Sequence, residues 1–322
     1  MGLRYGARSR PGTMVSTWLN SLVSGTVPGP GAGYWSGDAS TNTIDKTSFL
    51  DDASSVLSTT FAAARAYMSG ASNGGVAAYF VGGTAVLGGG DGYDVIWKMP
   101  FATELIATIT PTLSSTASEG AGCANSGTAA YWQLGRTLPD GAINSDTIDK
   151  TAFADDSTAA ITPPVSVSYR RGGAYANSGT AGYWCHDTTV IDKTLFSNDS
   201  TSALSAVLSN DVNYRGGLAN SGTAGYTAYG YSMTDVINKL TFADDANAAI
   251  TPTLSVARWG GGAAAKSGTA GYWAGGSTTG SSSGGTTAID KTAFTDDATA
   301  AITPVLAVGK AEMCGTADSG TL

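Results

Sequence analysis

The sequence predicts an all-β protein: a six-bladed β-propeller with four antiparallel strands per blade, closed by a C-terminal innermost strand. Three observations predict it. Charged residues make up 13% of the 322 positions, with 44 glycines and abundant Ser, Thr and Ala in their place, whereas an average globular chain carries ~25% charged residues. That composition is poor in strong helix formers and rich in turn residues. Second, the phrase I-D-K recurs at Ile44-Asp45-Lys46, Ile148-Asp149-Lys150, Ile191-Asp192-Lys193 and Ile289-Asp290-Lys291, with relaxed copies at Ile96-Trp97-Lys98 and Ile237-Asn238-Lys239. Third, the aromatic anchors Tyr34, Tyr79, Tyr131, Tyr183, Tyr226 and Tyr272 recur at the same period, 43 to 52 residues. A period of this length holding four short strands is that of a propeller blade, not of a β-helix coil.

Each unit divides at Gly, Asp-Asp and Pro-containing turns into four strand-length pieces. Strand a is the small-residue stretch, as in "RRGGAYA" and "RWGGGAAA", suited to the crowded axis. Strand b ends in Tyr-Trp after a nearly constant N-S-G-T turn. Strand c follows the pattern Ile-x-Lys-x-x-Phe. Strand d is Ala-Ile-x-Pro-x-Leu. The Tyr-Trp of strand b and the Phe of strand c (Phe49, Phe101, Phe153, Phe196, Phe242, Phe294) are expected to fill the space between neighbouring blades.

The first unit begins at strand b, Gly33-Tyr34-Trp35, and the chain ends after a strand a in "GKAEMCGTADSGTL". The C-terminal strand is therefore expected to be innermost in the blade that the N-terminal b, c and d strands open, leaving no long free edge. Residues 31–322 form the expected propeller; residues 1–30 lie outside the repeat as an extended arm and linker.

The order R-x-G-G, Y-W-x-G-G, I-D-K-x-x-F, P-x-L-S-x-A-R resembles the kelch repeat, best in "YFVGG" and "YWAGG". Trp132, Trp184 and Thr227 lack the Gly doublet, and strand d lacks the late Trp. The I-D-K-x-x-F flavour is similar to kelch-like repeats of bacteriophage structural and tail-fibre proteins. The resemblance implies a virion protein made in a host cytoplasm, present in multiple copies and contacting other virion proteins or a host-surface glycan or protein. Fold alone does not fix activity.

Composition excludes several classes. A net charge of −8 disfavours nucleic acid and anionic membranes, which call for cationic fields. No apolar run is long enough to span a bilayer. Cys123, Cys185 and Cys314 are too few and too dispersed for a disulfide framework or a metal cluster. His186 is the single histidine, so no two-histidine metal site can form, and its neighbours Cys185 and Asp187 point to alternate faces of a strand. No catalytic set, metal or cofactor is expected.

The recurring acids Asp51-Asp52, Asp155-Asp156, Asp244-Asp245 and Asp296-Asp297, with Asn198-Asp199 and Thr103-Glu104 in the same slot, read as c-to-d turn residues. The lysines Lys46, Lys98, Lys150, Lys193, Lys239 and Lys291 read as local ion-pair partners of acids five or six positions on. The b-to-c loops vary from 6 to 15 residues, while the a-to-b turn barely changes. Since b-to-c and d-to-a connections share one face of a propeller, that face is the expected working surface, with Tyr93, Asp94, Arg136, Asp140, Tyr229, Tyr231 and Met233 meeting a partner. Arg4, Arg8 and Arg10 make the arm basic, an expected docking element. The expected function is a non-enzymatic structural or adhesion propeller of a virion; an independent carbohydrate-binding propeller is the alternative.

Overall fold

The structure is a computed structural model that describes residues 31–85, 92–137, 143–210, 213, 216–281 and 284–318. Gly31–Leu322 form one compact unit. Six four-stranded antiparallel sheets are arranged as a six-bladed β-propeller, and all long elements among the described residues are strands. Blade II comprises Ala66–Asn73, Ala77–Thr84, Ile96–Pro100 and Ala107–Thr108, in the order a, b, c, d from the axis outward. Blades III to VI repeat that order, with their a strands at Ala121–Asn125, Gly173–Asn177, Gly216–Asn220 and Gly262–Lys266. Blade I combines both chain ends: Cys314–Ala317 hydrogen-bonds to Ala32–Ser36, with Tyr34 opposite Thr316, followed by Thr43–Ser48 and Ser54–Thr60.

Small residues in strand a have a direct cause. A Cβ on Gly122 would lie 2.8 Å from the carbonyl oxygen of Gly70 in the preceding blade, and one on Gly70 would lie 2.8 Å from that of Gly315. Backbones of neighbouring a strands touch at the axis, so any side chain there pushes blades apart.

Further out, the aromatic residues fill the widening gap as expected. Tyr34 stacks on Phe101 at 5.3 Å and Tyr131 on Phe196 at 4.8 Å, each Tyr reaching the strand-c Phe of the next blade. The same pair forms at all six junctions, ending with Tyr272 on Phe49 at 4.6 Å. Strand alternation sends the adjacent Trp to the preceding blade: Trp132 packs with Ala71 and Tyr79, Trp184 with Cys123 and Tyr131. The indole N–H groups of the strand-b residues Trp35, Trp132, Trp184 and Trp273 each donate to a strand-c Thr, for example Trp132 to Thr151 at 2.9 Å, which removes the cost of an unsatisfied buried donor.

The recurring acids occupy the c-to-d turns as expected, but the lysines differ from their sequence reading. Each lysine pairs with an acid of the next blade, not with a local one: Lys98 with Asp156 at 2.7 Å, Lys150 with Asp199 at 2.8 Å, and Lys291 with Asp52 at 2.9 Å. The reason is register and rotation of the turn. Tyr131 stands directly opposite Lys150 on paired strands, so both polar tips converge on one point of the neighbouring c-to-d turn. There the second acid of each pair takes a left-handed conformation, φ 54 to 60°, which turns its carboxylate outward. The first acid stays in its own turn: Asp155 accepts the Ser157 N–H at 3.0 Å.

The constant N-S-G-T turn also joins blades. Asn125 Oδ1 accepts the Gly179 N–H of the next blade at 2.9 Å, while Ser178 Oγ accepts the Ser126 N–H coming back at 3.1 Å. Equivalent reciprocal bonds link Asn73 with Gly127, Asn177 with Gly222 and Asn220 with Gly268. Gly127, Gly179, Gly222 and Gly268 have φ of 78 to 80°, so the turn requires glycine there. The repeated phrase is thus an interlock between units.

Candidate functional site

On the face of the d-to-a connections, five residues occupy one equivalent slot at the entrance to strand a: Tyr67, Glu119, Arg171, Gly260 and Glu312, all at φ between 58 and 68°. Their main chains form a collar. The Tyr67 N–H donates to the Glu312 carbonyl at 3.1 Å, Glu119 to Tyr67 at 3.1 Å and Arg171 to Glu119 at 2.5 Å. The left-handed turn directs the side chains of Tyr67, Glu119, Arg171 and Glu312 toward the axis, and the five residues line a pocket at the mouth of the central channel. Below it, the bore is lined mainly by Gly and Ala of the six a strands, with Met68, Ser69, Met313 and Cys314.

Two carboxylates are buried here, Glu119 at 4% and Glu312 at 3% exposure. Glu312 Oε1 accepts the Tyr67 hydroxyl at 2.5 Å. Glu119 Oε1 accepts from Arg171 at 3.1 Å, with the Arg170 Nε at 3.5 Å from its second oxygen. Oε2 of Glu312 and Oε2 of Glu119 have no hydrogen-bond partner. Burial pushes the Glu312 carboxyl up to about 7, with Asp38 and Glu119 raising it further and the Tyr67 hydrogen bond and Arg171 opposing. No group of three or more His, Cys, Asp or Glu side chains is arranged to hold a metal among the described residues.

An aromatic ledge adjoins the mouth. Trp259 packs with Ala66 and Tyr67, and Tyr231 meets Trp259 edge-on at 5.3 Å. Tyr231 is 50% and Met233 40% exposed, so these two sequence-predicted residues stand on the surface beside the pocket. Tyr229 does not. It is fully buried, its hydroxyl donating to the Gly262 carbonyl at 3.2 Å and its ring edge-on to Trp273 at 5.8 Å. A φ of 74° at Tyr229 turns it inward, which corrects its expected place on the contact surface.

Tyr93 and Asp94 are half-buried; the Tyr93 ring lies 3.4 Å under the Arg65 guanidinium. Arg136 is half-buried in a two-residue strand paired with Ile143–Asn144. Asp140, and the arm residues Arg4, Arg8 and Arg10, lie outside the described residues. His186 lies 2.8 Å from the Asp192 carboxylate and stacks on Tyr169 at 4.0 Å, and Cys185 is buried in strand b.

That histidine belongs to a second repeated slot. The strand-c Asp of each I-D-K is buried and meets whatever its own blade offers: Lys310 to Asp45 at 2.6 Å, Arg258 to Asp290 at 2.6 Å, His186 to Asp192. In blade III no cation pairs with the strand-c acid among the described residues, and Asp149 accepts the N–H and hydroxyl of Ser114 at 2.6 and 2.7 Å; burial raises its pKa. In blade II Trp97 replaces the acid and Arg65 sits 5.3 Å over its ring. These groups balance buried charge.

The channel-mouth residues were missed in the sequence because no motif contains them. Their signal is irregularity: a slot 52 residues apart in three successive units reads Tyr67, Glu119, Arg171, while its Gly-rich neighbours hardly change. No protein-family model matches the chain, and no curated protein matches it.

Proposed function

We propose that this chain is a non-enzymatic, kelch-like propeller serving as a rigid module of a larger assembly, a phage particle, with its b-to-c and d-to-a face turned toward neighbouring proteins or a host surface. The observation that carries this reading is the contrast between the faces. The a-to-b and c-to-d turns are engaged in inter-blade bonds around the disc, whereas the opposite face holds irregular residues, exposed Tyr231 and Met233, and a polar pocket. A disc so interlocked gives a stiff mount for a recognition surface.

Pairing of Cys314–Ala317 with Ala32–Ser36 supports a ring shut by the C-terminal strand, and the basic residues Arg4, Arg8 and Arg10 suit an arm that docks on a neighbour. A second reading, an independent carbohydrate-binding propeller, is favoured by Tyr231 standing exposed on Trp259 beside two carboxylates, since sugars take an aromatic platform and acceptor oxygens. Glycan-array binding by the isolated protein separates the two. No glycan binding together with co-sedimentation in particles is the result expected; tight glycan binding by the free monomer overturns the assembly role in favour of the second reading.

A further inference from the structure

We infer that the channel mouth is a binding site for a primary ammonium group, held between the inward carboxylates of Glu312 and Glu119. The inference goes beyond the assembly role and holds whether or not the disc is mounted in a particle.

Geometry comes first. Glu312 and Glu119 occupy equivalent slots on either side of Tyr67 in the main-chain collar, and both line the pocket. Each uses one oxygen within the protein, Glu312 toward the Tyr67 hydroxyl and Glu119 toward Arg171. Each leaves Oε2 buried without a hydrogen-bond partner. Buried acceptors of this kind call for donors, and an ammonium supplies three from one compact atom.

Charge then selects among donors. The Arg171 guanidinium and the nearby Arg170 pair with Glu119, whereas Glu312 has no ion pair of its own among the described residues and feels Arg171 only at longer range, against the carboxylates of Asp38 and Glu119. An anion would meet the unpartnered Oε2 of Glu312. A neutral hydroxyl would satisfy the hydrogen bonds and leave the charge. A cation does both.

Shape narrows the choice further. The bore below the mouth is lined by Gly70, Gly122, Gly217, Gly262 and Gly315, with the unbranched Met68 and Met313 at its upper end, an apolar and largely glycine-walled passage that an unbranched methylene chain bearing the ammonium fits. A lysine side chain of a partner protein and a free polyamine share this chemistry.

The test is isothermal titration of the full chain with N-α-acetyl-lysine methylamide, with cadaverine and with the neutral N-α,N-ε-diacetyl-lysine methylamide. The amines are expected to bind and the neutral probe to bind at least about tenfold more weakly, the cost of losing a charged hydrogen bond. The lysine amide binding tighter names a partner's side chain as the source, and cadaverine binding tighter names a polyamine. Since Tyr67, Asp38, Glu119 and Arg171 are the groups that act on Glu312, amine affinity is expected to rise as pH increases through about 7, where Glu312 loses its proton. Glu312→Gln should weaken the amines about tenfold and flatten that pH profile, and Glu119→Gln should weaken them and move the profile to lower pH, because Glu119 is one of the groups that raise the Glu312 pKa. Equal affinity for the neutral probe, no binding at millimolar amine, or a pH profile unchanged in Glu312→Gln overturns the inference.

Discussion

Tyr272 donates a 2.8 Å hydrogen bond to Asp52 across 220 residues of sequence, joining the last blade to the first. Lys291 Nζ reaches the same carboxylate at 2.9 Å from both oxygens. One acid of a turn therefore holds two side chains of the adjoining blade, and the same arrangement recurs at every junction. Burial, and then the acid itself, hold each tyrosine far above its ordinary pKa, so the hydroxyl remains a donor throughout the accessible pH range.

Asp52→Ala removes both partners and places a Cβ-branch-free but non-glycine residue at φ 59°, and is expected to cost about 1–3 kcal/mol in urea unfolding. Asp51→Ala, beside it and exposed, is expected to cost no more than about 1 kcal/mol. A double-mutant cycle of Asp52→Ala with Tyr272→Phe should show a coupling of about 0.5–1.5 kcal/mol; a coupling near zero would remove the clamp from the stability of the junction.

Crowding at the axis gives a second expectation. Gly122→Ala places a methyl 2.8 Å from the Gly70 carbonyl and 2.7 Å from the Trp132 ring, and should cost about 1–3 kcal/mol through overpacking. Gly127→Ala meets nothing within 4 Å and should cost about 1 kcal/mol, for its positive φ alone. Equal penalties in urea unfolding would contradict the close approach of the a strands.

The buried ion pairs predict a rescue. Arg258→Met leaves Asp290 uncompensated and is expected to destabilise by about 3–5 kcal/mol. Adding Asp290→Asn reproduces the neutral residue that Asn238 supplies in blade V, where the amide oxygen accepts the Ser209 N–H at 2.9 Å. The double variant should recover a large part of the loss, read as the urea midpoint; no recovery would show that the guanidinium acts through packing.

Glu312 predicts a pH dependence of stability. Its folded pKa, about 7, exceeds the ordinary 4.5, so the folded state holds the proton more tightly and the associated stability is fully present below about pH 4.5, fading as pH rises to about 7. Glu312→Gln keeps the acceptor for Tyr67 and removes the charge. It should raise the unfolding free energy at pH 8 by an amount on the order of 1–3 kcal/mol after solvent screening, read as a higher melting temperature, and leave both unchanged at pH 4. A uniform shift at both pH values would contradict the assignment.

Blade number, strand order and the aromatic packing were legible in the sequence because they repeat, and repetition reports backbone geometry. Pairing of the lysines was misread because sequence distance hides rotation about the axis: Lys150 is five residues from Asp155 yet bonds Asp199 of the next blade. Tyr229 was misplaced because one left-handed residue reverses a loop side chain, and nothing in "TAYGYSM" marks which residue turns. The channel mouth stayed hidden for the opposite reason to the blades. Its residues share a slot and not a type, so they leave no motif.

Hydrogen exchange of the protein in the proposed particle assembly, compared with the free chain, tests the assignment of the working face most directly. Protection is expected at residues 229–234 and around Glu312, with the interlocked turns at 126–128 and 178–180 unchanged. Protection confined to those turns, with Tyr231 and Glu312 exchanging as in the free chain, would contradict it.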